Sequence, residues 1–357
     1  MKKKKKEEEQ EKKVPVSKCP DNTAFKQQRV PAWRLTLSAK AVLSSFFLIG
    51  SFCLAVGISW IVATVNVKEI AINYSDYCVT CSDLRQNSSN SEKPCNCVVN
   101  FTVPGELQGD VFMYYGLNNF FQNHRRYVIS RYDTQLLGRN VTNSETITKS
   151  TNCAPFSTYQ NGTPMAPCGA IANSLFNDTI TLYYYTTATT KIPVPLLRTG
   201  NTWWSDKNIK FKNPQPVNNL VQAFAGSARP PYWQKPPYLL DSDPYNNGYE
   251  NDDFIIWMRV AAFPNFRKLY RRLSRVQQFA NGLPAGNYSY SIDYNFPVSK
   301  FKGQKYIYLT TLSWCGGRNL FLGIAYTATG AVVILVAVAM LAVHLKKKKK
   351  KSRYSTK

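Results

Sequence analysis

Hydrophobic and polar positions divide this chain into three regimes. Two runs, Ala41–Val65 and Phe321–Leu345, each hold 25 residues without Asp, Glu, Lys or Arg. As helices at about 1.5 Å per residue they would reach roughly 37 Å, enough to cross a hydrocarbon core of about 30 Å. A cleaved signal peptide does not fit the first run, because some 40 residues precede it and it is too long and uniform. A lipid-anchor signal does not fit the second, which ends in Lys346–Lys351 instead of its own apolar tail. Both runs predict transmembrane helices.

The 255 residues between them, 66–320, alternate on a shorter period. Thr179–Lys191, Asn287–Asn295 and Lys305–Trp314 are rich in Tyr, Thr and Ile and are bounded by Pro and Gly, which predicts strands. Asn265–Phe279 reads as a helix, with Phe266, Leu269, Tyr270, Leu273 and Val276 on one stripe. Its other face, Arg267, Lys268, Arg271, Arg272 and Arg275, reads first as a solvated basic surface. Contact with anionic headgroups or an acidic loop is the functional alternative.

Charge orients the spans. Residues 1–40 carry 12 Lys and Arg against 5 Asp and Glu, and residues 346–357 carry 8 against none. The two tails thus supply +15 of the +24 net charge, which the positive-inside rule places in the cytosol. The sequons agree with a lumenal or extracellular loop: Asn73, Asn87, Asn100, Asn140, Asn161, Asn177 and Asn287 all lie between the spans. Lysine runs at a membrane boundary are explained by anionic lipid, so the basic balance does not call for nucleic acid. The low-complexity head, residues 1–13, carries no fold of its own.

Candidate chemistry is sparse. The ectodomain has one histidine, His124, and no phosphate-binding or dinucleotide fingerprint. That excludes a multi-histidine metal centre and disfavours a Ser-His-Asp triad; no catalytic, cofactor or metal residues are assigned. Asp241–Asp253 faintly suggests a calcium loop, but Tyr245 and Asn246 occupy a ligand position and the turn-glycine position, so ordinary Asx turns are expected. Six cysteines group as Cys78 with Cys81, Cys95 with Cys97, and Cys153 with Cys168. In an oxidising compartment these imply disulfides, though spacing leaves their connectivity open. Gly50 and Gly57, and likewise Gly323 and Gly330, recur at seven residues and would allow close approach of another helix, so they are assigned to partner binding.

Several segments carry a resemblance: 20–33 (PDNTAFKQQRVPAW), 111–131 (VFMYYGLNNFFQNHRRYVISR), 166–179 (APCGAIANSLFNDT), 203–213 (WWSDKNIKFKN), 252–270 (DDFIIWMRVAAFPNFRKLY), 283–286 (LPAG) and 313–326 (SWCGGRNLFLGIAY). In this order, between two spans, they resemble the accessory (β) subunits of type IV P-type ATPases, the phospholipid flippases. The resemblance implies an integral membrane protein with two transmembrane helices and a large β-rich ectodomain, an antiparallel, sandwich-like fold with a few helices. Its domains would be a cytosolic tail (1–40), a span (41–65), the glycosylated ectodomain (66–320), a second span (321–345) and a polylysine tail (346–357).

It also implies a heterodimer with a catalytic ATPase subunit that moves membrane phospholipid from the exoplasmic to the cytosolic leaflet. The pairings it suggests are Cys78 with Cys97, Cys81 with Cys95 and Cys153 with Cys168. The stretch containing Asp21, Asn22, Thr23, Phe25, Gln27, Gln28, Arg29, Pro31 and Trp33 resembles one that runs beneath the partner's membrane domain; there Phe25 and Trp33 would be anchors. Ser44 and Leu320 stand where the family usually has proline, and Cys315 where it usually has an apolar residue, so a divergent paralogue with altered partner choice is expected. Two other classes share some features: a two-span ligand-gated channel subunit and a lumenal carbohydrate-active enzyme. The second span lacks the polar pore-facing positions a channel needs.

Overall fold

The protein is described by a computed structural model over residues 19–31, 38–90, 92–139 and 152–355, with 142, 145 and 147. These residues form two compact units, one of residues up to Ala55 and from Tyr326 onward, the other Val56–Ala325. Both apolar runs are helical: α1 is Ala39–Val65 and the last helix, α3, is Phe321–Ser355. Each is long and apolar enough to cross a membrane. The Ser38 hydroxyl accepts the Ala41 N–H at 3.2 Å and starts α1 two residues before its apolar run. The Asn319 side-chain oxygen likewise accepts the Phe321 N–H at 2.9 Å. Helix α3 runs on through the lysines, which suit a helix once it has left the apolar layer.

A seven-residue repeat of small side chains lines both helices. Gly50, Gly57 and Thr64 are buried on α1, and Gly323, Gly330 and Ala337 on α3. In the first unit, a Cβ on Gly330 would lie 2.8 Å from the Leu54 nitrogen, and one on Gly50 would lie 2.8 Å from Ile334 Cγ1. In the second, a Cβ on Gly323 would meet Ile61 Cγ1 at 2.6 Å. The close approach that these glycines permit is therefore made between the chain's own antiparallel spans, which fill the space.

The ectodomain carries eleven strands among the described residues: β1 (Glu69–Asn73), β2 (Asn96–Val103), β3 (Leu107–Gln108), β4 (Val111–Asn118), β5 (Thr179–Tyr185), β6 (Lys191–Pro193), β7 (Leu196–Leu197), β8 (Phe266–Leu273), β9 (Gly282–Leu283), β10 (Gly286–Asp293) and β11 (Gln304–Thr311). They make a five-stranded sheet in the order β1-β11-β4-β8-β7, a four-stranded sheet β2-β10-β5-β6 and a short pair β3-β9. Every ladder pairing is antiparallel. Alternate positions of both larger sheets, among them Met113, Leu117, Ile307 and Leu309 on one and Val99, Leu182, Tyr290 and Ile292 on the other, enter a single continuous core. The Tyr270 hydroxyl on β8 accepts the Ile180 N–H of β5 at 3.0 Å, a direct bond from one sheet to the other. The strand that follows α1 pairs with the strand that precedes α3, Glu69 opposite Thr310, so the ectodomain returns the chain beside its own entry.

The helix expected over Asn265–Phe279 is not formed; Phe266–Leu273 is β8, followed by a short 3₁₀ turn at Gln277–Phe279. Of its basic residues, Arg275 alone is exposed; the other four are buried or half-buried and form no solvated face. Lys268 is buried, and its ammonium donates to the carbonyls of Ile256, Trp257 and Arg259 at 3.1, 2.6 and 2.6 Å. It thereby closes the C-terminal end of the helix α2 (Asp252–Met258). Arg271 grips Asp253 through two bonds of 2.6 and 3.0 Å. A bulge between Met113 and Tyr114 shifts the β4–β8 register and turns successive side chains of β8 inward.

Three disulfides join Cys78 to Cys97, Cys81 to Cys95 and Cys153 to Cys168. The first two fix the segment after β1 to the start of β2, on which Cys97 lies. Lys305 and Asp178, both fully buried, form an ion pair of 2.5 Å at the heart of the sandwich. The Tyr74 hydroxyl and the N–H groups of Asn295 and Phe296 complete the shell around Asp178, at 2.7, 2.6 and 2.6 Å.

Candidate partner-binding surfaces

The juxtamembrane segment is a self-contained turn. Gln27 and Arg29 donate their N–H groups to Thr23 and Ala24 at 2.9 and 2.7 Å, and Gln28 takes a positive φ of 53°. The Arg29 guanidinium donates to the Asn22 side chain at 2.6 Å, the Gln27 amide to the Pro20 carbonyl at 3.3 Å, and Lys26 pairs with Asp21. Asn22 and Gln27, polar groups of the stretch that the resemblance places beneath a partner, are thus already engaged in holding the turn. What the turn presents is Phe25, 82% exposed. Pro31 is also exposed; Trp33 lies outside the described residues.

The ectodomain adds an aromatic surface. Trp203 and Trp204 are 67% and 72% exposed, ahead of one π-helical turn, Asp206–Lys210. Asp206, buried beneath, holds Lys210 at 2.6 Å and Arg259 at 3.3 Å, and Arg259 lies 5.4 Å over the Trp203 ring. Lys207 meets the buried Asp252 at 2.5 Å. Neighbouring loops, tied by the Phe120 N–H to the Pro264 carbonyl at 3.0 Å, leave Phe121 and Phe263 exposed. Large exposed aromatics on a firmly anchored loop make a candidate interaction site. The Trp-Trp doublet was available in the sequence as an apolar pair in a polar stretch; nothing there revealed the ion pairs that brace it. Trp60, in the last turns of α1, and Trp314, seven residues before α3, make an edge-on pair at 5.7 Å, as aromatics at a membrane interface would.

Charged groups elsewhere are committed to structure. Asp241 in the suspected calcium loop accepts the Asn246 amide at 2.6 Å and faces Arg198 at 3.4 Å. Burial alone would raise its carboxyl, but the Asn246 bond and Arg198 bring it below its ordinary value. Asp241 and Asp243 each accept an N–H two residues on, as Asx turns do. No group of three metal-binding side chains occurs among the described residues. His124 is exposed at the start of a short helix, Arg125–Val128. Of the sequons, Asn87, Asn100, Asn161 and Asn287 are exposed, Asn73 and Asn177 half-buried, and Asn140 lies outside the described residues.

Two spanning helices bearing one disulfide-bonded, β-rich ectodomain define an integral membrane protein whose prominent surfaces are suited to docking. A model of the LEM3 (ligand-effect modulator 3) / CDC50 family matches residues 60–350. The chain is 53% identical over 337 residues to Cell cycle control protein 50C of Bos taurus, covering 94% of this chain and 96% of that one. It is 48% identical over 327 residues to Cell cycle control protein 50A of Bos taurus (92% and 89%), and 43% identical over 334 residues to Cell cycle control protein 50B of Homo sapiens (92% and 94%). The chain belongs to the CDC50 family, the β subunits of type IV flippases.

Proposed function

We propose that this chain is the non-catalytic subunit of a heterodimer with a type IV P-type ATPase, which it accompanies out of the endoplasmic reticulum and supports in moving phospholipid to the cytosolic leaflet. The observation that carries this reading is family membership across both spans and the whole ectodomain. In it both termini are cytosolic, and the complex passes through the Golgi to secretory vesicles or the plasma membrane. ATP hydrolysis belongs to the partner. Phe25 anchors beneath the partner's membrane domain, the outward faces of α1 and α3 meet its helices, and the Trp203–Trp204 surface meets its exoplasmic loops.

Differential binding is the mechanism: contacts on both sides of the membrane favour the folded, export-competent ATPase over its unassembled forms. Pull-down of the tagged full chain from mild detergent, with mass spectrometry, is the test. A stoichiometric type IV ATPase is the expected result. A folded, membrane-inserted chain that brings down none would overturn the reading.

A further inference from the structure

Beyond its apolar run, α3 continues as a helix for ten residues past Leu345, through six consecutive lysines, Lys346–Lys351, to Ser355. Lys346–Lys350 are exposed, and so are Ser352, Arg353 and Tyr354. Residues 346–357 contain no Asp or Glu, so their side chains carry +8 with no counter-charge among them. Lysines three and four apart on a helix lie side by side and repel, as Lys346 does with Lys349 and Lys350. An anionic lipid surface at the foot of the span supplies the missing counter-charge.

Ser352 stands at the edge of that surface's field. It lies seven residues past Leu345. That is about 10 Å along the helix, past a headgroup layer of roughly 6 Å and within one Debye length, about 8 Å, of the charged surface. An enzyme can therefore reach it, and a charge placed on it would feel the lipid. Its sequence surround is densely cationic: Lys349, Lys350 and Lys351 precede it directly and Arg353 follows. A kinase whose peptide groove is acidic selects such a serine by charge complementarity. Ser355 and Thr356 each have only Arg353 as a cation among the three residues before them.

We propose that Ser352 is a phosphorylation site that controls the hold of the lysine helix on the anionic cytosolic leaflet. In the transfer the Ser352 Oγ bonds to the γ-phosphorus of ATP. The bond from that phosphorus to the β,γ-bridging oxygen breaks, ADP leaves with the bonding pair, and the serine proton passes to the kinase's base. The product adds about −1.5 to −2 of charge to a segment of +8. Lys348 and Lys349, four and three residues before it on the same face, turn from lipid to the new phosphate. The leaflet repels the added charge, and so does the C-terminal end of the helix. Unmodified, the segment gathers acidic lipid around the foot of α3; phosphorylated, it lets that lipid go. The inference rests on the cytosolic placement of the tail in the reading above but on no ATPase partner.

The test begins with phosphopeptide mass spectrometry of the full chain from eukaryotic cells harvested with phosphatase inhibitors, which should place phosphate on Ser352. That chain, and the same chain after phosphatase treatment, are then set in nanodiscs of phosphatidylcholine alone or with phosphatidylserine at about 7:3. Trypsin cuts after the lysines wherever they leave the lipid. Acidic lipid should slow that cleavage about tenfold for the dephosphorylated chain and about threefold or less for the phosphorylated one. Comparing the two lipids within each form cancels any direct effect of phosphate on the protease. Ser352→Ala should lose the phosphate and keep the protection. Phosphate absent from Ser352, including phosphate on Ser355 or Thr356 alone, or equal protection of the two forms, would overturn the proposal alone. A tail that sealed microsomes shield from added protease would overturn its cytosolic placement, and the proposal with it.

Discussion

Lys305 shows how far a single residue can be committed. It has no exposed surface, and its ammonium is shared between Asp178, the Phe296 carbonyl at 2.8 Å and the face of Tyr294 at 3.0 Å. Burial pulls this ammonium below its ordinary value, while Asp178 pulls the other way. Removing one member of such a pair strands the other, so Lys305→Met should cost about 3–5 kcal/mol in chemical unfolding of the full chain. A loss below about 1 kcal/mol would contradict this account. Titration adds a second prediction. Burial raises the phenols of Tyr74, Tyr115, Tyr249 and Tyr290 well above 10. Above pH 10 the unfolded chain therefore sheds protons that the folded chain keeps, and stability falls as pH rises. Lys268 and Lys305, lowered from 10.5, act with the opposite sign below that value, because deprotonation relieves their burial. The thermal midpoint should drop steeply above pH 10, with phenolate absorbance appearing only on unfolding; phenolate formed in the intact fold would refute it.

At the scale of elements, the glycine seam is the most exacting contact. A leucine at position 330 must enter space held by Leu54 and the Gly50 carbonyl, so Gly330→Leu should force the two spans apart and lower yield and thermal stability in detergent, by roughly 1–3 kcal/mol of overpacking. The same exchange at the exposed Val332 should be silent. The Cys153–Cys168 bridge closes a loop of 15 residues, and replacing both cysteines by serine should cost about 3 kcal/mol. The spans and the strands at β5, β10 and β11 were legible because each shows one unbroken period. Residues 265–279 were not. Phe266, Leu269, Tyr270 and Leu273 match a helical stripe, whereas the burial of Lys268 and Arg271 depends on the α2 carbonyls and Asp253, which no local pattern announces. The seven-residue glycine spacing announced a helix contact; it could not say whose helix.

For the whole molecule, the two docking surfaces act on opposite sides of the membrane in the proposed complex. Trp203→Ala with Trp204→Ala should leave the ectodomain folded, since both rings are largely solvent-exposed, yet reduce ATPase recovered by pull-down about tenfold or more. Phe25→Ala should do the same from the cytosolic side, and wild-type recovery from both variants would move the interface elsewhere. The paired exchange Ser44→Pro with Leu320→Pro, which introduces the prolines that the resemblance implies, should broaden or strengthen partner capture; an unchanged partner profile would dismiss that idea.

The pairing of β1 with β11 reaches further than architecture. At a synthesis rate of about 5–20 residues per second, β1 emerges tens of seconds before the strand it needs, which lies about 240 residues later. The large sheet cannot close until nearly the last of the ectodomain has crossed the membrane, immediately before the second span. In the proposed topology, translation thus ends on an open edge strand, a template that lumenal chaperones would hold and quality control would inspect. A chain truncated anywhere before residue 304 would present that edge permanently, and should be retained and degraded however well its earlier disulfides have formed.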